Sequence, residues 1–471
     1  METKIFLGDI EVSTTKVKEI KNPYSGEVVS IYPLCTASDA KEALKIAQKS
    51  FKANKDITLS QRIDWIEDVI VELKKDTDKF AKIITDEVGK PIKFAIIEVQ
   101  RCIETLRLSI AAAINQDGET YNSDAMPSGR KTISYYKRVP IGVASLITPF
   151  NFPLNLIAHK LGPALLAGNS IVLKPTPEAP RIAYEFIKLF TTSKYRSPNA
   201  VSLVYGDVEV GSELATNAIP RAVSFTGSVL VGEIILKSAG IKKVSLELGG
   251  NAATFIDESA DVAEAAKKCI LGAFINSGQV CISLQRIYAH KSISEEFIQE
   301  LKKETNALIV GNPYDPNTFM GPLVTKEAAT RAKEWVDSAV SEGAVLECGG
   351  EVDGTMFTPT LLSNVTDSMN IVCEEVFAPI VSVVEVDSFD EALKKINNSP
   401  YGLQYSIFTN SLINTKRAIE EFECGGVVIN DIPTLRFDIQ PYGGSKLSGI
   451  GKEGPKYALE EFTEIKSVVI C

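Results

Sequence analysis

The stretch Val143-Ala144-Ser145-Leu146-Ile147-Thr148-Pro149-Phe150-Asn151-Phe152-Pro153 decides the fold. Its first five residues are small or apolar without interruption, as expected of a strand buried on both faces. Phe152 to Leu166 then reads as a helix, and the alternation repeats. Ser170-Ile171-Val172-Leu173-Lys174 is a second strand, followed by a helix through Ile182, Phe186 and Phe190. Val201-Ser202-Leu203-Val204 is a third strand and Arg221-Ala222-Val223-Ser224-Phe225 a fourth. This βαβαβ rhythm predicts an α/β protein with a parallel, doubly wound sheet.

Upstream, residues 36–118 read as mostly helical, with Ser38-Asp39 capping the apolar rhythm of Ala43, Ile46, Ala47 and Phe51. Downstream the α/β rhythm restarts near residue 250, with strands near 252–256, 285–289, 377–385, 404–409 and 427–430. A second doubly wound domain follows. Lys131 to Val139 and Ile465 to Ile470 are isolated extended runs. A lone apolar strand needs an edge to pair with, so both are expected in a small β oligomerisation arm. Docking of the tail on its own subunit is the alternative.

A chain of 471 residues is long enough for more than one core. Hydrophobic residues make up 45% and charged residues 23%, the balance of a water-soluble globular chain. No apolar stretch reaches the roughly eighteen residues of a spanning helix. The first residues lack a basic-then-apolar signal layout, so a cytoplasmic location is expected. Fifty basic and sixty acidic residues leave a formal charge of −10, which argues against nucleic acid and anionic membranes as partners. A small acidic substrate would need a local basic group.

The eight cysteines contain no C-x-x-C pair, so neither a zinc site nor a disulfide framework is expected. His159 and His290 are the only histidines and cannot build a histidine cage; no metal is expected. There is no G-x-S-x-G elbow, so the general base of an enzyme here is expected to be a carboxylate.

Four motifs carry chemistry. In Asn276-Ser277-Gly278-Gln279-Val280-Cys281, a cysteine follows a glycine turn where converging N–H groups can lower a thiol's pKa or hold an oxyanion, though taken alone an inert core cysteine is the stronger reading. In Ser245-Leu246-Glu247-Leu248-Gly249-Gly250-Asn251, a carboxylate sits between two leucines, which suits a general base or a strand-end salt bridge. Thr148 to Pro153 lies at the C-terminal end of the first strand, where open α/β sheets bind ligands. Asn151 there can donate to an oxyanion or cap the next helix. Ser224-Phe225-Thr226-Gly227-Ser228 runs from strand through glycine turn into helix, a place for a pyrophosphate.

Together these motifs resemble the aldehyde dehydrogenase superfamily over essentially the whole chain. The resemblance rests on T-P-F-N-F-P at 148–153, F-T-G-S at 225–228, L-E-L-G-G at 246–250 and G-Q-V-C at 278–281. Glu374 to Pro379 and Pro441 to Gly449 extend it. It implies an NAD(P)-binding domain over 1–120 and 140–247, a catalytic domain over 248–440, and an arm over 121–139 and 452–471. It implies Cys281 as nucleophile, Glu247 as general base, and Asn151 with the backbone N–H of Cys281 as oxyanion hole. NAD or NADP is expected against Thr148, Pro149, Phe150, Lys174, Pro177, Gly206, Phe225, Gly227, Ser228, Leu248, Glu375 and Phe377. The substrate is expected against Phe152, Leu156, His159, Val280, Ile282, Arg436 and Phe437. A homodimer or homotetramer is expected.

The sequence also departs from the family. Many NAD-preferring members carry a glutamate three residues after the ribose-binding lysine; here Pro177 stands there and Glu178 follows. Without that carboxylate a 2′-phosphate meets no repulsion, so NADP is expected to be accepted; the alternative is that Glu178 swings in, and the choice between NAD and NADP stays open. Phe152, Leu156 and His159 share a face by i, i+4, i+7 spacing. His159 then lines the aldehyde tunnel or is a structural histidine, and Arg436 binds a polar tail or pairs with Asp438. G-Q-V-C-I-S and G-G-V-V-I-N-D resemble the branch of lactaldehyde and non-phosphorylating glyceraldehyde-3-phosphate dehydrogenases. Lactaldehyde is the favoured substrate, with succinate semialdehyde or glyceraldehyde-3-phosphate as alternatives. A CoA-acylating enzyme and a silent structural homologue are competing readings, and Glu247 argues for hydrolysis to the free acid.

Overall fold

The computed structural model describes residues 2–471. Its first sheet has the strand order 10–12, 5–7, 201–203, 170–174, 143–147, 222–226, 243–247, 449–450. The five central strands are parallel, and antiparallel strands close both edges. Strand order reverses at Val143–Ile147, whose neighbours are Ser170–Lys174 on one side and Ala222–Thr226 on the other. Every residue of Val143–Ile147 and Ser170–Lys174 is buried, which is why both are dominated by apolar residues with no alternation.

The second sheet runs 345–348, 360–363, 380–386, 284–290, 252–256, 404–408, 426–429, parallel except at the 345–348 edge. Two apolar clusters, one containing Phe255 and Tyr405 and one containing Phe274 and Leu284, pack with it. The chain passes from the first sheet to the second through Glu247–Ala252. The carboxyl ends of the first sheet therefore face the amino ends of strands Ala252–Ile256 and Leu284–His290.

Helices Ala37–Ala53, Leu59–Lys75, Thr77–Val88 and Ile92–Ile114 fill the expected helical region. The first is capped by Thr36, which exchanges a capping box with Asp39, rather than by Ser38-Asp39. Threonine two residues earlier satisfies the free N–H of Asp39, so the helix starts sooner. The helix expected from Phe152 begins at Asn155, because Pro153 disfavours helical backbone at Phe152.

The two isolated extended segments pair with each other: Thr463–Ile470 runs antiparallel to Ile133–Pro140, and Thr120–Tyr121 completes a three-stranded sheet. Ile133, Ile465, Val469 and Ile470 are exposed on it. Residues 452–462 do not join this sheet: helix Pro455–Glu461 packs on helices Ile92–Ile114 and Asn155–Leu166. Among the described residues no helix is long and apolar enough to cross a membrane.

Candidate active site

Asn151 sits in the loop between strand Val143–Ile147 and helix Asn155–Leu166, and a buried ion pair holds that loop. Lys90 and Glu98, each 1% exposed, bond to one another beneath it. Lys90 Nζ also donates to the Asn151 carbonyl at 2.7 Å and lies 4.0 Å from the Phe152 ring centroid. Glu98 Oε1 accepts from the N–H groups of Leu154 (2.9 Å) and Asn155 (3.2 Å), capping the helix from a distance. Asn151 Oδ1 accepts from the N–H of Phe152 at 3.1 Å, which leaves its NH₂ as the donor offered to the cavity.

Cys281 follows a strained loop. Asn276, Ser277 and Gly278 have φ of 52°, 56° and 71°, three successive left-handed residues. Gly278 is required, since a Cβ there would lie 2.2 Å from the Ala378 carbonyl oxygen. Ser277 Oγ donates to the Gly321 carbonyl at 2.8 Å, and Gln279 Oε1 accepts from the Val324 N–H at 3.0 Å, over-determining the turn. Cys281 Sγ lies 2.9 Å from Tyr442 Oη. Burial pushes the thiol up to about 12, while the Tyr442 hydrogen bond and the charge of Arg436 pull it down.

Glu247 ends strand Lys243–Glu247 between buried Leu246 and Leu248. Neither of its carboxylate oxygens has a hydrogen-bond partner among the described residues. Burial, then the neighbouring charge of Glu453, raises its pKa well above the carboxylate range. Glu453 itself is ionised. Burial opposes this, but Lys160 Nζ at 3.0 Å and Arg436 Nη2 at 3.3 Å outweigh it and hold Glu453 low.

Arg436 closes the polar wall. Its guanidinium stands 3.7 Å from the Tyr442 ring centroid, and its Nε is 3.5 Å from Asp438 Oδ1, so the expected Asp438 contact is present. Arg101 reaches the same Asp438 from helix Ile92–Ile114. His159 does not line the cavity: it is fully buried, with Nε2 3.2 Å from Asp438 Oδ1. Burial lowers its pKa, as expected of a neutral imidazole, and Asp438 supplies the partner that makes it structural.

These groups meet in one cavity of about 510 Å³. Of the residues expected from sequence, Cys281, Glu247 and Asn151 line it. So do Pro149, Phe150, Phe152, Leu156, Gly227, Ser228, Leu248, Val280, Ile282, Glu375, Phe377 and Arg436. Thr148, Lys174, Pro177, Gly206 and Phe225 are outside its walls. Phe225 lies directly beneath Gly227, and Gly206 occupies a positive-φ turn against Val210. Phe437 is also outside this cavity and is 56% exposed: it lies between Arg436 and Asp438, whose side chains are turned inward, and faces the other way. Arg101, Lys160, Tyr442 and Glu453 were not singled out from sequence. A charge inside an otherwise apolar helix was the available signal for Lys160; helix Ile92–Ile114 carries several charges, so Arg101 had no such signal.

At the far end, Ser228 caps helix Val229–Ser238 and opens its N-terminus onto the cavity. Across from it Glu375 accepts from the Gly250 N–H at 2.9 Å, and burial raises its pKa to about 7. A Cβ on Gly249 would lie 2.6 Å from Glu375 Oε2, so glycine is what lets the carboxylate approach. The Phe150 and Phe377 rings meet edge-on at 5.9 Å.

A cysteine, an amide and an unpaired carboxylate thus meet in a crevice at the switch point of a parallel α/β sheet, the place where this class of fold binds its ligands. The chain belongs to the aldehyde dehydrogenase family, whose pattern matches residues 10–468. It is 40% identical over 463 residues to the 3-sulfolactaldehyde dehydrogenase of Priestia aryabhattai, covering 98% of this chain and 96% of that one. It is 39% identical over 458 residues to the lactaldehyde dehydrogenase of Methanococcus aeolicus, covering 96% and 97%. The structure superimposes on a glyceraldehyde-3-phosphate dehydrogenase from Methanocaldococcus jannaschii complexed with NADP, with a TM-score of 0.93 and 38% identity. That match covers 97% of this chain and all of the other.

Proposed function

We propose that this chain oxidises a short hydroxylated aldehyde, lactaldehyde foremost, to its carboxylic acid with NAD or NADP. The observation that carries the reading is the convergence of Cys281, the Asn151 NH₂ and the unpartnered Glu247 carboxylate on one cavity.

The thiolate of Cys281 attacks the carbonyl carbon, and the carbonyl oxygen takes the negative charge. Asn151 Nδ2 and the backbone N–H of Cys281 stabilise that oxyanion. The C–H bond then breaks with its electron pair, leaving a thioester on Cys281. A bound nicotinamide coenzyme supplies the hydride acceptor. Glu247 takes a proton from water as its oxygen attacks the thioester, and Cys281 leaves as thiolate. A carboxylate free of protein partners suits this role and favours hydrolysis over acyl transfer to CoA.

The cavity offers groups that would hold the pyrophosphate and the nicotinamide ribose of a dinucleotide. The open N-terminus at Gly227–Ser228 offers N–H groups to a pyrophosphate, and buried Glu375 offers acceptors to ribose hydroxyls. Pro177 places no charge where a 2′-phosphate would come, which supports acceptance of NADP.

The polar wall of Arg101 and Arg436 around Asp438 supports an oxygen-bearing substrate tail. The names of the two sequence relatives favour a 2-hydroxyaldehyde. Two arginines at one wall also favour a second reading, an acidic semialdehyde such as succinate semialdehyde. The exposed apolar residues of the three-stranded sheet support assembly into a homodimer or homotetramer.

The test is a panel of lactaldehyde, sulfolactaldehyde, succinate semialdehyde, glyceraldehyde-3-phosphate and propionaldehyde, each with NAD and NADP, following reduced coenzyme and acid. Lactaldehyde with the highest kcat/KM supports the first reading, and succinate semialdehyde ahead of it supports the second. Propionaldehyde at parity with both overturns polar-tail recognition.

A further inference from the structure

We infer that Tyr442 is a catalytic residue: its phenolic O–H donates to the Cys281 sulfur and stabilises the thiolate that attacks the aldehyde. The inference rests on Cys281 being the nucleophile and adds to it a donor aimed at the sulfur itself.

The hydroxyl lies 2.9 Å from Cys281 Sγ, and its side chain makes no other hydrogen bond among the described residues. A thiolate can only accept, so once Cys281 ionises Tyr442 is the donor. The ring is fixed. The Tyr442 backbone bonds to Glu453 in both directions, and its side chain packs with Val280, Ile282 and Leu403. On its face stands the Arg436 guanidinium, 3.7 Å from the centroid. A cation over a phenol ring draws density from the hydroxyl and makes it a stronger donor.

The surroundings explain why such a donor is needed. Burial disfavours a thiolate at Cys281, and Glu247 and Glu375 oppose it further. Arg436 is the cation acting on the sulfur, but it is shared with Glu453 and Asp438. A hydrogen bond to the charged form works against that burial. Tyr442 keeps its own proton, because burial holds it far above its usual range. As the S–C bond forms, charge leaves the sulfur for the carbonyl oxygen. When the thioester is hydrolysed the S–C bond breaks, the electron pair returns to sulfur, and the phenol receives that charge again.

Tyr442→Phe removes the hydroxyl and keeps the ring under Arg436. The measurement is the rate of Cys281 alkylation by iodoacetamide against pH, read on the Cys281 peptide by mass spectrometry. NADP affinity by fluorescence checks that the variant is folded. The midpoint should rise by about one pH unit, with alkylation at neutral pH slowed roughly tenfold and NADP affinity nearly unchanged. Site-specific 3-fluorotyrosine at 442, a more acidic phenol of similar size, should lower the midpoint below that of the unsubstituted protein. A Tyr442→Phe profile superimposable on the original, or faster alkylation at every pH, overturns the inference. Alkylation involves no aldehyde, so this failure is distinct from failure of the proposed oxidation, which Cys281→Ala turnover reports.

Discussion

Arg101 and Asp438, 337 residues apart in the chain, form a two-pronged ion pair at the wall of the cavity: Nε to Oδ2 at 3.1 Å and Nη2 to Oδ1 at 2.7 Å. The same carboxylate is 3.5 Å from Arg436 Nε and 3.2 Å from His159 Nε2. Asp438 thus offsets part of the charge of the two arginines that we propose face the substrate tail. Its pKa is held far below the usual carboxylate range; burial opposes this, and His159 and Arg101 override it.

Asp438→Asn should therefore turn the pocket towards anions. The ratio of kcat/KM for succinate semialdehyde to that for lactaldehyde should rise about tenfold, the scale of one charge-assisted contact. An unchanged ratio would show that neither arginine meets the substrate tail.

Glu453→Gln tests the electrostatics around the proposed base. The Glu453 charge raises the Glu247 pKa, and Lys160 lowers it. Removing the acid and unmasking Lys160 both push Glu247 downward. Glu247 works deprotonated, so the acid limb of steady-state turnover should move to lower pH. A limb that stays put, or moves up, would mean that another group limits hydrolysis.

Pro177→Glu concerns the coenzyme. Glu178, the acid one residue on, accepts from the Thr176 hydroxyl. A glutamate at 177 should raise KM for NADP about tenfold while leaving NAD within about twofold, through like-charge repulsion. Equal effects on both coenzymes, or no NADP activity before substitution, would contradict the argument.

The sheets were legible because buried parallel strands leave runs dominated by apolar residues with no alternation. Val143–Ile147 and Ser170–Lys174 have the bounds that their composition implies. Cys281, Glu247 and Asn151 were legible because each lies in a short contiguous motif. Of the polar wall only the Arg436–Asp438 contact was legible. Lys160 meets Glu453 across 293 residues and Arg101 meets Asp438 across 337, and no spacing rule encodes such pairs. Helical spacing put His159 on the face of Leu156, but spacing carries no information about the carboxylate that arrives to claim it.

The central claim is a covalent acyl intermediate on Cys281 that Glu247 helps to hydrolyse. Glu247→Gln should still form it and fail to clear it, so the direct measurement is peptide mass mapping of that variant after mixing with lactaldehyde and NADP. The account predicts a lactyl adduct on the Cys281 peptide, formed with a burst of reduced coenzyme and absent when Cys281→Ala is added. Reduced coenzyme produced with no adduct on Cys281, or an adduct on a different cysteine, would contradict it.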